Sequence, residues 1–181
     1  MSASKAKRAG YEYPGKDTLT FAVLPGYRNL IVWQKASELA NLTHDATRGL
    51  GSAYFKLRGQ TLDAAESVPA NIAEGYCSGS INNYVRYCEI ARGSLGELGT
   101  HLHTCERWKV IDPALLPPAI QLYGDVRYLL DRMLSALRQK QTDKSWDSSY
   151  AVRESAPVYE VPKIADEIET FHASYQEATA P

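Results

Sequence analysis

Along residues 84–105 the side chains Tyr84, Cys88, Ala91, Leu95, Leu98, Leu102 and Cys105 recur in alternating steps of four and three. An α-helix completes a turn every 3.6 residues, so this spacing gathers them on one stripe. A strand, which alternates every two residues, would scatter them over both faces. A stripe this long and narrow is the seam of a helix packed nearly parallel to its neighbours. It is stable only where other helices cover it, and the chain supplies further segments of the same kind.

Val32, Ala36, Leu39, Thr43, Ala46 and Leu50, widened by Trp33 and Ala40, predict a first helix that starts after Tyr27 and stops at Gly49 and Gly51. A second is expected from about residue 52 to residue 74, with Leu57, Leu62, Ala65, Val68 and Ile72 inward. Ser80 is the expected N-cap of the third. Asp112-Pro113 separates it from a fourth at about 114–140, whose stripe is Leu116, Ile120, Tyr123, Val126, Leu130, Met133 and Leu137. Pro117-Pro118 falls in the first turn of that helix, where an amide has no helical acceptor to lose. Four long amphipathic helices with short connections predict an all-α chain, an up-down-up-down antiparallel four-helix bundle over residues 27–140.

Both flanks read differently. Residues 1–26 are rich in Gly, Pro, Tyr and Thr, have no helical period, and are expected to form an extended arm. Residues 141–181 begin as a polar linker and pass through Pro157-Val158-Tyr159-Glu160-Val161-Pro162. Ile164, Ile168, Phe171 and Tyr175 then fall on one side of a short acidic helix. Such a stripe needs a docking surface, on its own bundle or on a partner.

The net charge of −1 conceals a division. Residues 26–140 carry 13 basic and 11 acidic side chains, whereas residues 141–181 carry three against eight. A mildly basic bundle is compatible with nucleic acid. Cys77, Cys88 and Cys105 are odd in number and lack CxxC spacing, which argues against a disulfide framework or zinc finger and for reduced thiols in a cytoplasmic protein. No apolar run has the length of a signal peptide or a bilayer span, so no membrane partner is expected.

The run Ser67-Val68-Pro69-Ala70-Asn71-Ile72-Ala73-Glu74-Gly75 carries a proline inside a helix. Pro69 lacks an amide and crowds the carbonyl four residues back, which predicts a kink. Ser67 and Asn71 stand where they can hydrogen-bond the freed backbone groups, and Gly75 is expected to end the helix in a left-handed conformation. A polar network is expected here, with Asn71 serving the backbone near Pro69 and Arg92 pairing with Glu74 or Glu97, close to Ser94. Buried polar groups without partners cost a few kcal/mol and so tend to gather. Gly93, Gly96 and Gly99 suggest a face that another backbone approaches closely.

Catalytic chemistry finds little footing. Glu97, His101 and Cys105 form an i+4 column with His103 nearby, but Thr100 stands where a Glu-x-x-His pair would need its histidine, and His44 and His172 supply no matching pair. The loop Gly75-Tyr76-Cys77-Ser78-Gly79 lacks the Lys-Ser/Thr of a phosphate loop, and Gly-x-Ser-x-Gly is absent. No catalytic residue, metal or cofactor is expected. The candidates for nucleic-acid contact are Arg86, Arg92, Arg107, Lys109, Arg127, Arg132, Arg138 and Lys140. Arg86 is interleaved with Tyr84 and Tyr87, a combination that can stack bases. The competing reading is a solvated charged face with the tyrosines in a subunit contact.

Four stretches carry a family likeness: Leu30-Ile31-Val32-Trp33-Gln34-Lys35-Ala36, Gln60, the run at 67–75, and Ile90-Ala91-Arg92-Gly93-Ser94-Leu95-Gly96-Glu97-Leu98. In order and spacing the chain resembles, over about residues 27–138, the four-helix bundle family encoded in intervening sequences of large-subunit ribosomal RNA genes. Relatives of that family are accessory proteins of diversity-generating retroelements. The resemblance implies a non-enzymatic bundle that assembles into a ring, commonly a homopentamer. In the retroelement branch it implies a basic scaffold that binds RNA or DNA and docks a reverse transcriptase. Gln60-Thr61-Leu62-Asp63-Ala64 departs from the family's Gln-x-Arg-Arg-Ala pattern and weakens nucleic-acid binding through the second helix. The expected function is a non-catalytic oligomeric scaffold for nucleic acid. The alternative is a protein–protein assembly module whose arm and acidic tail bind neighbouring subunits or a protein partner.

Overall fold

The computed structural model describes residues 26–146. The expected N-terminal arm (but for Gly26) and, beyond residue 146, the expected linker and short acidic helix of the tail lie outside the described residues. Within them run α1 (Ile31–Thr47), α2 (Phe55–Cys77), α3 (Ile81–Arg107) and α4 (Leu116–Thr142), with no strand. Single 3-10 turns precede α1, α2 and α4. The expected Ser80 cap is present, its hydroxyl accepting from the Asn83 amide at 3.5 Å, and at the Asp112-Pro113 break the Asp112 carboxylate accepts from the Ala114 amide at 2.9 Å. No helix of the described residues is long and apolar enough to cross a membrane.

Contacts close a ring of neighbours in which α1 and α3 each pack against α2 and α4. Ser67 meets Ser94 while Gly75 meets Tyr84, so α2 and α3 are antiparallel. Asn82 meets Gln141 while Gly99 lies under Tyr123, so α3 and α4 are antiparallel too. The all-α architecture is the expected one.

The α3 stripe is buried at Tyr84, Cys88, Ala91, Leu95, Leu98 and Cys105, with Leu102 packed against its edge. Val32, Ala36, Leu39, Thr43 and Ala46 of α1 are buried as well. Polar groups in this interior are satisfied locally. Thr43, Thr47 and Thr61 donate to the carbonyls of Leu39, Thr43 and Leu57 at 2.8, 2.8 and 2.6 Å.

The fourth helix is rotated from its expected register. Its buried face is Ala119, Leu122, Asp125, Val126, Leu129, Leu130, Leu134 and Leu137, and Ile120 is 59% exposed. Both stripes share Val126, Leu130 and Leu137, so periodicity alone cannot choose between them. In α2 the centre belongs to the small residues Thr61, Ala64 and Ala65, with Leu57 and Leu62 only half-buried.

Gly75 does not end α2. The helix continues to Cys77, and the left-handed residue of the turn is Gly79, at φ 75°. The role of Gly75 is steric: a Cβ there would lie 2.7 Å from Tyr84 Cδ2 and 3.1 Å from Tyr87 Cβ. The glycines of α3 also divide. A Cβ on Gly93 or Gly96 would meet nothing within 4 Å, whereas one on Gly99 would lie 2.8 Å from the Tyr123 hydroxyl. The close approach is therefore to a side chain, and at one of the three.

Burial pushes the Cys88 thiol up from 9.0 to about 12 and raises Cys105 as well. An unfolded thiol ionises near 8.5. As pH rises the unfolded chain therefore loses these protons first, and the stability present below the unfolded pKa is lost towards the folded one. The expected loss for Cys88 is about 1.4 kcal/mol per pH unit between roughly 9 and 12. Urea titrations at pH 8 and 10.5 should show the fall in wild type and a smaller fall in Cys88→Ala. An equal fall in both would assign the alkaline loss to other groups.

Candidate nucleic-acid interface

The polar network around Pro69 exists in part. Asn71 Nδ2 donates to the Ser67 carbonyl at 2.7 Å and to its hydroxyl at 2.9 Å, and that hydroxyl meets Ser94 Oγ at 2.8 Å. The carbonyl served belongs to Ser67, two residues beyond the Ala65 carbonyl that a proline at 69 deprives of its amide. Arg92 pairs with neither expected carboxylate. It reaches across to Asp131 of α4 at 3.6 Å, because its position on α3 faces that helix. Glu74 instead accepts a hydrogen bond from Tyr87, which together with its charge holds that phenol above 10.0. Glu97 lies 3.6 Å from His101, one turn along α3. The set thus splits into a Ser67–Asn71–Ser94 tie between α2 and α3 and separate surface pairs. Among the described residues no three His, Cys, Asp or Glu groups are placed to hold a metal ion.

The first helical motif is also a tie. Gln34 donates to the Arg28 carbonyl at 2.8 Å, closing the turn before α1. Lys35 reaches the buried carboxylate of Asp125 on α4 at 3.7 Å, where Gln121 also donates at 3.3 Å. Asp125 has no place in an apolar stripe, and only the packing of α1 on α4 accounts for it.

The candidate cations fall into two groups. Arg92 and Arg138 line a groove of about 490 Å³ between α3 and α4, but each is matched by a carboxylate. Arg138 bonds Glu89 at 2.7 Å. Arg132 lies over the Tyr128 ring, 5.9 Å from its centroid, and donates to its hydroxyl at 3.3 Å. Arg86, Arg107, Lys109, Arg127 and Lys140 are exposed, and no hydrogen bond or ion pair joins their side chains to another described residue. The stacking arrangement expected around Arg86 is not formed. Tyr84 is buried against Tyr76 and Trp146, and Tyr87 is bonded to Glu74.

An aromatic cluster absent from that expectation lies at the opposite end of the bundle. Tyr54, just before α2, and Trp108, just after α3, stack with ring centroids 6.1 Å apart and planes at 41°. Phe55 is 80% exposed and Trp108 58%. Lys109 adopts φ 55°, the left-handed residue that follows the α3 C-cap Trp108. Lys56, Arg107 and Lys109 adjoin these rings in the chain and Arg48 caps the end of α1 that leads to them, all exposed. The signal in the sequence was two short triplets, Tyr54-Phe55-Lys56 and Arg107-Trp108-Lys109, in segments without periodicity.

A comparison with curated proteins gives no match. Residues 28–132 match the family model described as 23S rRNA-intervening sequence protein. The matched span runs from the turn before α1 into the second half of α4 and contains the Lys35, Ser67, Asn71 and Ser94 ties between helices. It covers more than half of the chain, and the chain therefore belongs to the 23S rRNA-intervening sequence protein family.

Proposed function

We propose that this chain is a non-catalytic helical scaffold that assembles into an oligomer and binds nucleic acid. The observation that carries the reading is the division among its cations. Those in the α3–α4 groove are neutralised by carboxylates, while Arg86, Arg107, Lys109, Arg127 and Lys140 stand exposed without one among the described residues. Exposed, unpaired cations are the side chains that exchange counterions for phosphates. Symmetric assembly multiplies each of them, so a modest charge per subunit sums to a strong field. A homopentamer, and service to a reverse transcriptase, belong to the same reading and are supported by the family resemblance.

Filter binding of the full chain to a structured RNA across a salt series tests it. The expected result is retention at 50 mM salt that falls linearly on a log–log plot, with a slope of about −0.7 to −0.9 per phosphate contacted. No retention at low salt would overturn it.

A second reading, a protein–protein assembly module, is favoured by the outer side of α3. Ile90 is 40% exposed there, beside Gly93 and Gly96 with open space over both. Light scattering that finds a single-subunit mass for the full chain, unchanged in Ile90→Asp, would remove this reading and the oligomer together.

A further inference from the structure

We propose that the end of the bundle built by the α1–α2 connection and the C-terminus of α3 is a stacking platform for unpaired bases of single-stranded nucleic acid. The proposal rests on the nucleic-acid reading above and assigns it a site. Phe55 and Trp108 leave large apolar ring surface in water, and the Tyr54–Trp108 contact holds the indole in place from the opposite segment. Nucleobases of any sequence offer a π-face to such rings.

Charge at this end favours phosphate. Arg48, Lys56, Arg107 and Lys109 form no ion pair with another described residue. The nearby carboxylates Glu106, Asp45 and Asp112, beside His103 at 3.6 Å, His44 at 3.4 Å and the Ala114 amide at 2.9 Å, keep their charge, so the four cations exceed them by one. In an antiparallel bundle two helix N-termini and two C-termini meet at each end, so the helix dipoles largely cancel. The side-chain cations then set the sign of the local field. The α3–α4 groove has the opposite character, since its arginines are neutralised and no aromatic ring lines it.

A single strand fits this end better than a duplex. Paired bases keep their faces inside the stack, and a duplex could use only the cations. In Arg107-Trp108-Lys109 a ring stands between two cations, and in Tyr54-Phe55-Lys56 a cation follows two rings, so each segment offers a strand both a base contact and a phosphate contact.

The test uses the full chain, a labelled single strand of about 12 nucleotides as RNA and as DNA, and a duplex of the same sequence, across a salt series from about 50 to 200 mM. The variants are Phe55→Ala/Trp108→Ala, Trp108→Phe and Lys109→Ala, with folding checked by circular dichroism. The double variant should lose roughly ten- to hundred-fold in single-strand affinity and little in duplex affinity. Trp108→Phe should keep most of the binding, and Lys109→Ala should reduce the salt slope by about one without removing it. RNA and DNA responding alike would identify base stacking as the shared contact, whereas a loss confined to RNA would add the 2′-hydroxyl to it. If the wild type binds and the double variant binds as well, or loses single strand and duplex equally, the platform is wrong while the nucleic-acid reading stands. If the wild type binds no strand at low salt, both fall.

Discussion

Leu130→Ala should lower the free energy of unfolding by about 2–5 kcal/mol, while Ile120→Ala, earlier on the same helix, should change it by less than about 0.5 kcal/mol. Leu130 is fully buried within the core, between Val126 and Leu134 of its own helix. Removing its branched end forfeits the transfer free energy and leaves a cavity that neighbours held by α1 and α3 fill only in part. Ile120 is 59% exposed, so most of its side chain meets water before and after truncation. Urea denaturation of both variants with an unchanged m-value reads the difference directly. Equal losses would restore the register in which Ile120 faces the core.

Glycine substitutions in two neighbouring helices should change stability with opposite signs. Gly→Ala in an exposed helix interior stabilises by about 0.5–1 kcal/mol, because alanine has less backbone freedom to lose. Gly93→Ala and Gly96→Ala should show that gain, since an added Cβ meets nothing within 4 Å. Gly75→Ala should instead destabilise by about 1–2 kcal/mol net, and Gly75→Val by about 3 kcal/mol, as overpacking outweighs the propensity gain. The obstacle, Tyr84 Cδ2 at 2.7 Å, cannot swing away easily. Its ring is packed edge-on between Tyr76 and Trp146 at 6.2 and 6.0 Å, and its hydroxyl lies 3.6 Å from Met133 Sδ. Thermal melts of the three alanine variants test the pattern. A rise in midpoint for Gly75→Ala would show that α2 and α3 can separate there at little cost.

These outcomes mark the boundary between local and global information. The third helix was legible almost residue by residue, because its stripe is unbroken and a serine stands at its start. The Asp112 break was legible for the same reason, since a proline and the cap before it act within a few residues of chain. Ile120 was misplaced because two overlapping stripes exist on α4, and the choice between them belongs to the surface that α1 and α3 present. In sequence Gly75 reads as a helix end, although glycine permits both a left-handed turn and a close approach. Only Tyr84 and Tyr87 decide which. Arg92 was given partners from its own neighbourhood, whereas the rotation of α3 turns it to Asp131.

The candidate interface shows the same boundary more sharply. A list of basic residues contains Arg92 and Arg107 on equal terms, yet packing neutralises the first and leaves the second beside an exposed indole. Tyr54 and Trp108 are far apart in the chain and carry no periodic signal, so their contact exists only once two connections meet at one end of the bundle. By itself the sequence determined four amphipathic helices, the Ser80 cap and the family, because periodicity and capping are properties of a single segment. The tertiary structure decided which cations remain unpaired, which glycines are closely approached and where aromatic rings face water. Each of those depends on how two segments are rotated against one another, and no single segment holds that information.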